Sequence, residues 1–360
     1  MHHLAALDRR VLVTGGAGFV GASLAIALRA WHPDWEVVAL DNLKRRGSEL
    51  NLPRLRAAGV RFEHGDVREA GDVLAVPRVD AIVECSAEPS ALAGVDGATE
   101  YAIGANLVGA WHCLELARRD SAQLVFLSTS RVYPVAALRA LAIEEAPTRY
   151  ELAAEQDVPG ASADGIAEDF PLAGARTLYG STKLAAELLI EEYRAGFGLR
   201  AVIDRCGVIA GPWQMGKVDR GVFTYWMLAH RLGHPLRYLG FDGSGRQVRD
   251  LLHVDDLVEL LDDQLARPDH WDGMVLNVGG GRACSLSLRE TTDLCRELTG
   301  ADVPVEPAGA DRPGDVPVYL SDCARLYAHS GWRPRRTARD VLVDIAAWVE
   351  LHEAQIVAAL

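Results

Sequence analysis

The chain has 360 residues, 49% hydrophobic and 24% charged, enough apolar material for one large core or two smaller lobes. Its net charge of −13 argues against a nucleic-acid partner, and no apolar run approaches the roughly 20 residues of a membrane-spanning helix. The six cysteines (Cys85, Cys113, Cys206, Cys284, Cys295 and Cys323) form no CxxC pair, which points to reduced thiols in a cytoplasmic protein rather than a disulfide or zinc framework.

In chain order, the start MHHLAALDRR leaves no room for a signal peptide ahead of the first strand, and His2 and His3 are too short a run to suggest a metal. RVLVT (10–14) is a β-branched run suited to a strand buried on both faces. GGAGFVG (15–21) follows and opens the helical stretch ASLAIALRAW. Gly15, Gly18 and Gly21 stand at a strand-to-helix junction. Glycines there allow a tight turn, close approach of backbone N–H groups to a pyrophosphate, and close helix–strand packing. The helix N-terminus, with Phe19 and Val20, then offers N–H donors and a partial positive charge to the phosphates. EVVALDN (36–42) is the second strand, and Asp41 at its end is placed to accept from both hydroxyls of an adenosine ribose. A carboxylate repels a 2′-phosphate, so NAD is expected over NADP, with Asn42 alongside, although Lys44, Arg45 and Arg46 follow. RFEHGDVRE (61–69) is a third strand that sets Asp66 and Val67 beside the adenine. VDAIVECSA (79–87) is a fourth, whose end at Ser86 and Ala87 passes under the pyrophosphate and nicotinamide. Alternating strands and helices predict an α/β fold, a doubly wound parallel sheet of the Rossmann kind.

QLVFLSTSRVY (123–133) is a fifth strand ending in Ser128, Thr129 and Ser130, where ligands of such sheets gather. YGSTK (179–183) then opens an amphipathic helix, so Tyr179 and Lys183 share a face. A free phenol titrates near pH 10 and is a poor base at neutrality. An ammonium four residues on favours the phenolate, as does a cationic nicotinamide; a shift of about three units needs roughly 4 kcal/mol. Thr129 is placed to hold the substrate hydroxyl and share its proton, and Lys183 to hold the nicotinamide ribose as well.

Together TGGAGFVG, Asp41, the STS strand end and YGSTK resemble the extended short-chain dehydrogenase/reductase superfamily, over nearly the whole chain. RCGVIAGPWQ (205–214) matches its sixth strand and substrate loop, GSGRQVRDLLHVDDL (243–257) its nucleotide-sugar segment, and LNVGGG (276–281) with DRPGD…GWRP (311–334) its C-terminal part. Within the superfamily, DNLKRRGSELNLPRL (41–55), FEHGDVR, the EEAPTRYEL insert (144–152) and QVRDLLH followed by SLSL resemble CDP-tyvelose and CDP-paratose 2-epimerases. Ser130 and Arg131 stand where that family tends to show Asn and Lys, and Pro134 where a Gly is usual. The resemblance implies retained NAD, Asn106 among its contacts, and a nucleotide sugar that is oxidised to a ketone, re-presented by its other face and reduced again. It leaves open a UDP-sugar 4-epimerase, a dehydratase or reductase of the same superfamily, or a catalytically silent NAD-binding protein. Dehydratases carry Asp and Glu directly after the Thr; Ser130 and Arg131 cannot serve as that acid/base pair.

Arg249 and Arg312 are the candidate diphosphate ligands, Trp213 the candidate stacking surface for the base, and Ser130, Arg131 and Glu88 the candidate sugar-side residues, Glu88 at the pocket mouth or capping the next helix. His253 is expected behind the site, and no metal-ligand cluster is visible. The implied division is 1–205 plus 250–280 for the NAD-binding sheet, 206–249 plus 281–335 for a smaller α/β substrate lobe, and 336–360 for a helix covering the core. Helices near 100–118 and 180–195 have apolar faces, which the superfamily often pairs in a homodimer.

Overall fold

Val11 and Val13 face one helical layer, Leu12 faces the other, and all three are fully buried. This is the two-residue alternation of a strand covered on both sides. It repeats across a seven-stranded parallel sheet in a computed structural model that describes residues 9–90, 92–95, 97–216, 221–309 and 312–359. His2, His3, residues 217–220 of the expected substrate loop and Asp311 of the DRPGD segment lie outside the described residues. The strands of this sheet, numbered in chain order, are β1 (Arg9–Thr14), β2 (Trp35–Asp41), β3 (Arg61–His64), β4 (Ala81–Glu84), β5 (Gln123–Thr129), β6 (Ala201–Cys206) and β7 (Val275–Val278). Their spatial order is β3-β2-β1-β4-β5-β6-β7, so the winding reverses between β1 and β4 and leaves a crevice at their carboxyl ends. Helices Phe19–Trp31 and Val254–Ala266 cover one face; Gly109–Asp120 and Leu178–Phe197 cover the other.

A second, four-stranded sheet builds the smaller lobe. Val208–Ala210, Val248–His253 and Ser285–Ser287 lie side by side, and Val318–Tyr319 pairs with Val248–His253. Helices Val222–Leu232, Leu288–Thr299 and Ala338–Ala359 pack on it around Trp226, Leu342 and Trp348.

The sixth central strand ends at Cys206, and after Gly207 the chain enters the second sheet with VIA (208–210). Val248–His253 belongs there too, and the return to the large sheet begins with the helix at Val254. The insert after β5 packs Tyr133, Tyr150, Leu152 and Phe170 against Val248, Val316 and Tyr319, so it belongs with the smaller lobe. The terminal helix likewise completes that lobe's core and not the core of the large sheet. In each case burial of apolar side chains decides allegiance, and a run read singly carries no record of its partner.

Candidate active site

The crevice is a cleft of about 740 Å³ running from the glycine turn to the smaller lobe. At its first end, Gly15 has φ +61°, and a Cβ there would sit 2.9 Å from the Cys85 carbonyl oxygen on the neighbouring strand's exit. A Cβ on Gly21 would lie 2.2 Å from the Gly15 oxygen. The turn is thus closed to any side chain, and Gly18 N-caps the helix whose first residues, Phe19 and Val20, line the cleft. First-turn N–H groups have no intrahelical partner, which suits them to a pyrophosphate.

Asp41 braces this cradle. Its Oδ2 accepts from the Ala17 N–H at 3.1 Å and its Oδ1 from the Leu43 N–H at 2.8 Å. Burial pushes its carboxyl above the ordinary value, against those backbone bonds. Asn42 donates through Nδ2 to Asp66 at 2.9 Å, and Asp66 pairs with Arg68 at 2.7 Å. Burial of Asp66 opposes ionisation, but the bonds from Arg68 and Asn42 overcome it and hold the carboxyl down at about 2. Tyr101 completes the adenosine end: Lys44 and Arg68 lie over its ring at 4.3 and 4.8 Å. Sequence reasoning missed it; an aromatic on an amphipathic helix reads as core. Val67, Ser86 and Ala87 line the cleft as expected.

Asn106 does not. Its Oδ1 accepts from Glu88 N–H at 2.7 Å, and its Nδ2 donates to Thr182 Oγ1 at 3.1 Å and to Glu88 O at 3.2 Å. The amide is buried and fully spent on tying the loop after β4 to the Tyr179 helix, from a π turn at Gly104–Val108. Glu88 lines the cleft; its carboxylate accepts from the Ser90 N–H, and it does not cap the helix at Glu100, whose N-cap is Thr99.

At the centre stand Thr129, Tyr179 and Lys183. Thr177 N-caps the helix through a bond from the Gly180 N–H at 3.2 Å. A Cβ on Gly180 would fall 1.9 Å from the Arg131 carbonyl oxygen, so the glycine in YGSTK lets the helix start jam against the end of β5. That contact sets Tyr179 beside Thr129 at the centre of the cleft, where Thr129 favours its phenolate. Lys183, one turn on, is buried; its Nζ reaches Glu84 Oε2 at 3.0 Å and lies 4.2 Å from the Phe126 ring centre. Burial pushes Tyr179 above its ordinary value, Lys183 and Thr129 pull it down, and Glu84 adds to the rise as the smallest of the causes. Sequence reasoning missed Glu84; an acid ending the apolar strand AIVE was its one visible signal. Ser128 lines the cleft, and its hydroxyl donates to Glu187, which in turn accepts from Arg205 at 2.8 Å.

The smaller lobe contributes cations. Arg131, Arg249 and Arg312 line the same cleft beside Ser130. Arg131 donates to Gly314 O at 2.8 Å, and burial with the like charge of Arg249 pushes its guanidinium down. Arg249 pairs with Asp315 and donates to Val316 O at 2.7 Å. Trp213 lines the cleft at φ +70°, but its ring is committed: Arg54 lies 4.0 Å over it, with His352 and Trp348 at 4.5 and 5.8 Å. The ring packs between Arg54 and the terminal helix at the edge of the cleft. His253 is buried and N-caps the helix from Val254, behind the cleft. Among the described residues no group of three or more His, Cys, Asp or Glu is arranged to hold a metal, and no helix is long and apolar enough to cross a membrane.

Residues 11–279 match the family model described as the NAD dependent epimerase/dehydratase family. The chain is 27% identical to a CDP-paratose 2-epimerase of Salmonella typhi, over 94% of this chain and 98% of that protein. It is 30% identical to a dTDP-glucose 4,6-dehydratase of Streptomyces griseus, over 97% and 96%. A UDP-glucose 4-epimerase of Thermus thermophilus, solved with NAD, superposes with a TM-score of 0.74 at 27% identity, over 95% of this chain and 99% of that one. The glycine cradle, Asp41 and the Tyr179–Lys183 helix fit that cofactor, and this chain belongs to the NAD-dependent epimerase/dehydratase family of extended short-chain dehydrogenases/reductases, with NAD as its cofactor.

Proposed function

We propose that the chain epimerises a nucleotide-activated hexose by transient oxidation and hydride return, and that its substrate is of the CDP-sugar 2-epimerase kind. One observation carries the choice of epimerisation over dehydration. The positions after Thr129 hold Ser130 and Arg131, so among the described residues the centre has one acid/base group, Tyr179, and lacks the carboxylic pair that removing water requires. Among the described residues the other carboxylates lining the cleft are Asp41 and Asp66 by the glycine turn, Glu88, and Asp315, which is paired with Arg249.

In this reading NAD, held by the glycine turn, Asp41 and Lys183, would supply reversible hydride transfer at the sugar carbon. Tyr179 takes the proton of the reacting hydroxyl as the carbon is oxidised and gives it back as the ketone is reduced. Thr129, beside Tyr179 in the cleft, binds that oxygen and favours the phenolate. Arg249 and Arg312 hold the diphosphate while the hexose turns, Ser130, Arg131 and Glu88 border the sugar, and Lys183 anchors the cofactor's ribose. The similarity to the Salmonella typhi CDP-paratose 2-epimerase supports the base and the carbon.

We also propose a homodimer. Helices Gly109–Asp120 and Leu178–Phe197 join at the surface through a bond from Trp111 Nε1 to Tyr193 Oη at 3.0 Å, and Trp111, Leu188 and Phe197 remain 44%, 57% and 60% exposed around it. Six free thiols, five of them buried, suit a cytoplasmic location.

The test is to incubate the purified protein, without added cofactor, with CDP-, UDP-, GDP- and dTDP-hexoses. The expected product is an epimer of a CDP-hexose inverted at C2. A 4-keto-6-deoxy product would reverse the reading to dehydration, and inversion of a UDP-hexose at C4 would move it to a 4-epimerase.

A further inference from the structure

Glu84 is the acidic end of β4, and its side chain is 1% exposed, against 2% for Lys183. An ammonium taken out of water needs a partner, and Lys183 has one at 3.0 Å. Two unit charges that close form a dipole whose field beyond it is far weaker than that of either charge. The Tyr179 phenol, one helical turn from Lys183, therefore feels that ammonium less than it would a lone one, although Lys183 still acts on it more strongly than Glu84 does. We propose that Glu84 is a positioning residue that fixes the Lys183 ammonium against Phe126 and shields Tyr179 from its charge. The other groups around the pair add little charge of their own. The thiols of Cys85, Cys113 and Cys206 are pushed up by burial and stay neutral, the Ser86 N–H points to the Glu84 carboxylate, Thr129 bonds Tyr179, and Arg131 is the other cation that Tyr179 feels.

This inference rests on Tyr179 as the acid/base group and not on the identity of the sugar, and its test needs no substrate. Near-ultraviolet difference titration of each purified protein against its Tyr179→Phe counterpart isolates the ionisation of Tyr179. Glu84→Gln should lower that midpoint by about one pH unit or more, because Lys183 is then unshielded. Glu84→Asp, which keeps the charge, should stay within about half a unit of the parent. A Glu84→Gln midpoint that does not move, whatever the loss of stability, overturns the proposal, since a merely structural carboxylate leaves the phenol alone. If Glu84→Gln does not fold, the double variant Glu84→Gln/Lys183→Met carries the test. With both charges gone its midpoint should stay within about half a unit of the parent, and a midpoint raised well beyond that would mean that Lys183 acts unshielded in the parent.

Discussion

Gly180→Ala is the sharpest probe of how the site is built. The added Cβ would lie 1.9 Å from the Arg131 carbonyl oxygen and 2.7 Å from its carbon, both backbone atoms that cannot swing aside. Relief to the 3.0 Å below which such contacts are essentially never seen requires the helix start and the end of β5 to part by about 1 Å. Thr129 rides on one side of that seam and Tyr179 on the other, so their separation grows by about the same amount. A displacement of about 1 Å in a reacting geometry costs on the order of 100-fold in rate, and overpacking of this kind costs about 1–3 kcal/mol in stability. We therefore expect turnover of the responsive nucleotide hexose to fall about 100-fold, NAD content to stay at the parent level because the glycine turn is untouched, and thermal unfolding to shift downward. Initial-rate assays, cofactor release on denaturation and a melting curve read the three quantities. A folded variant with parental turnover would refute the view that this seam positions the acid/base group.

Other outcomes follow from the same geometry. Tyr179→Phe should abolish turnover while NAD remains bound, measured by product formation and by cofactor content. Arg249→Ala removes a guanidinium from the substrate end of the cleft and should raise the dissociation constant for the nucleotide sugar far more than that for NAD, by calorimetry. Asp66 is depressed in the fold, so its contribution is present above its unfolded value and is lost as the pH falls through about 2. Asp66→Asn should therefore cost about 1 kcal/mol at neutral pH after solvent screening, and the difference should vanish as the pH drops from about 4 to about 2, read by denaturant titration. Glu187→Gln leaves the buried Arg205 without its carboxylate and should cost about 3 kcal/mol in the same measurement.

What could be read along the chain was what repeats or sits close together. The glycine turn, Asp41, and the pair Tyr179 and Lys183 each lie within one turn or at one strand end, where periodicity fixes which way side chains point. Glu84 and Lys183 are 99 positions apart, and nothing in either segment names the other. The same holds for Asn106, expected at the cofactor and found bonding Glu88 and Thr182, and for Trp213, whose ring is taken by Arg54 and the terminal helix. The shift of Val248–His253 to the smaller lobe has the same origin, since a β-rich run does not reveal which sheet will accept it. Near Tyr179 the cation was visible four residues away and the buried anion paired with it was not.

The central claim is that one phenol serves both the removal and the return of a hydride at a single sugar carbon. A nucleotide hexose carrying deuterium at the carbon to be inverted measures this directly, with the protein as purified and no cofactor added. Full retention of deuterium at that carbon in the epimer is the predicted result; its loss to solvent would contradict the account.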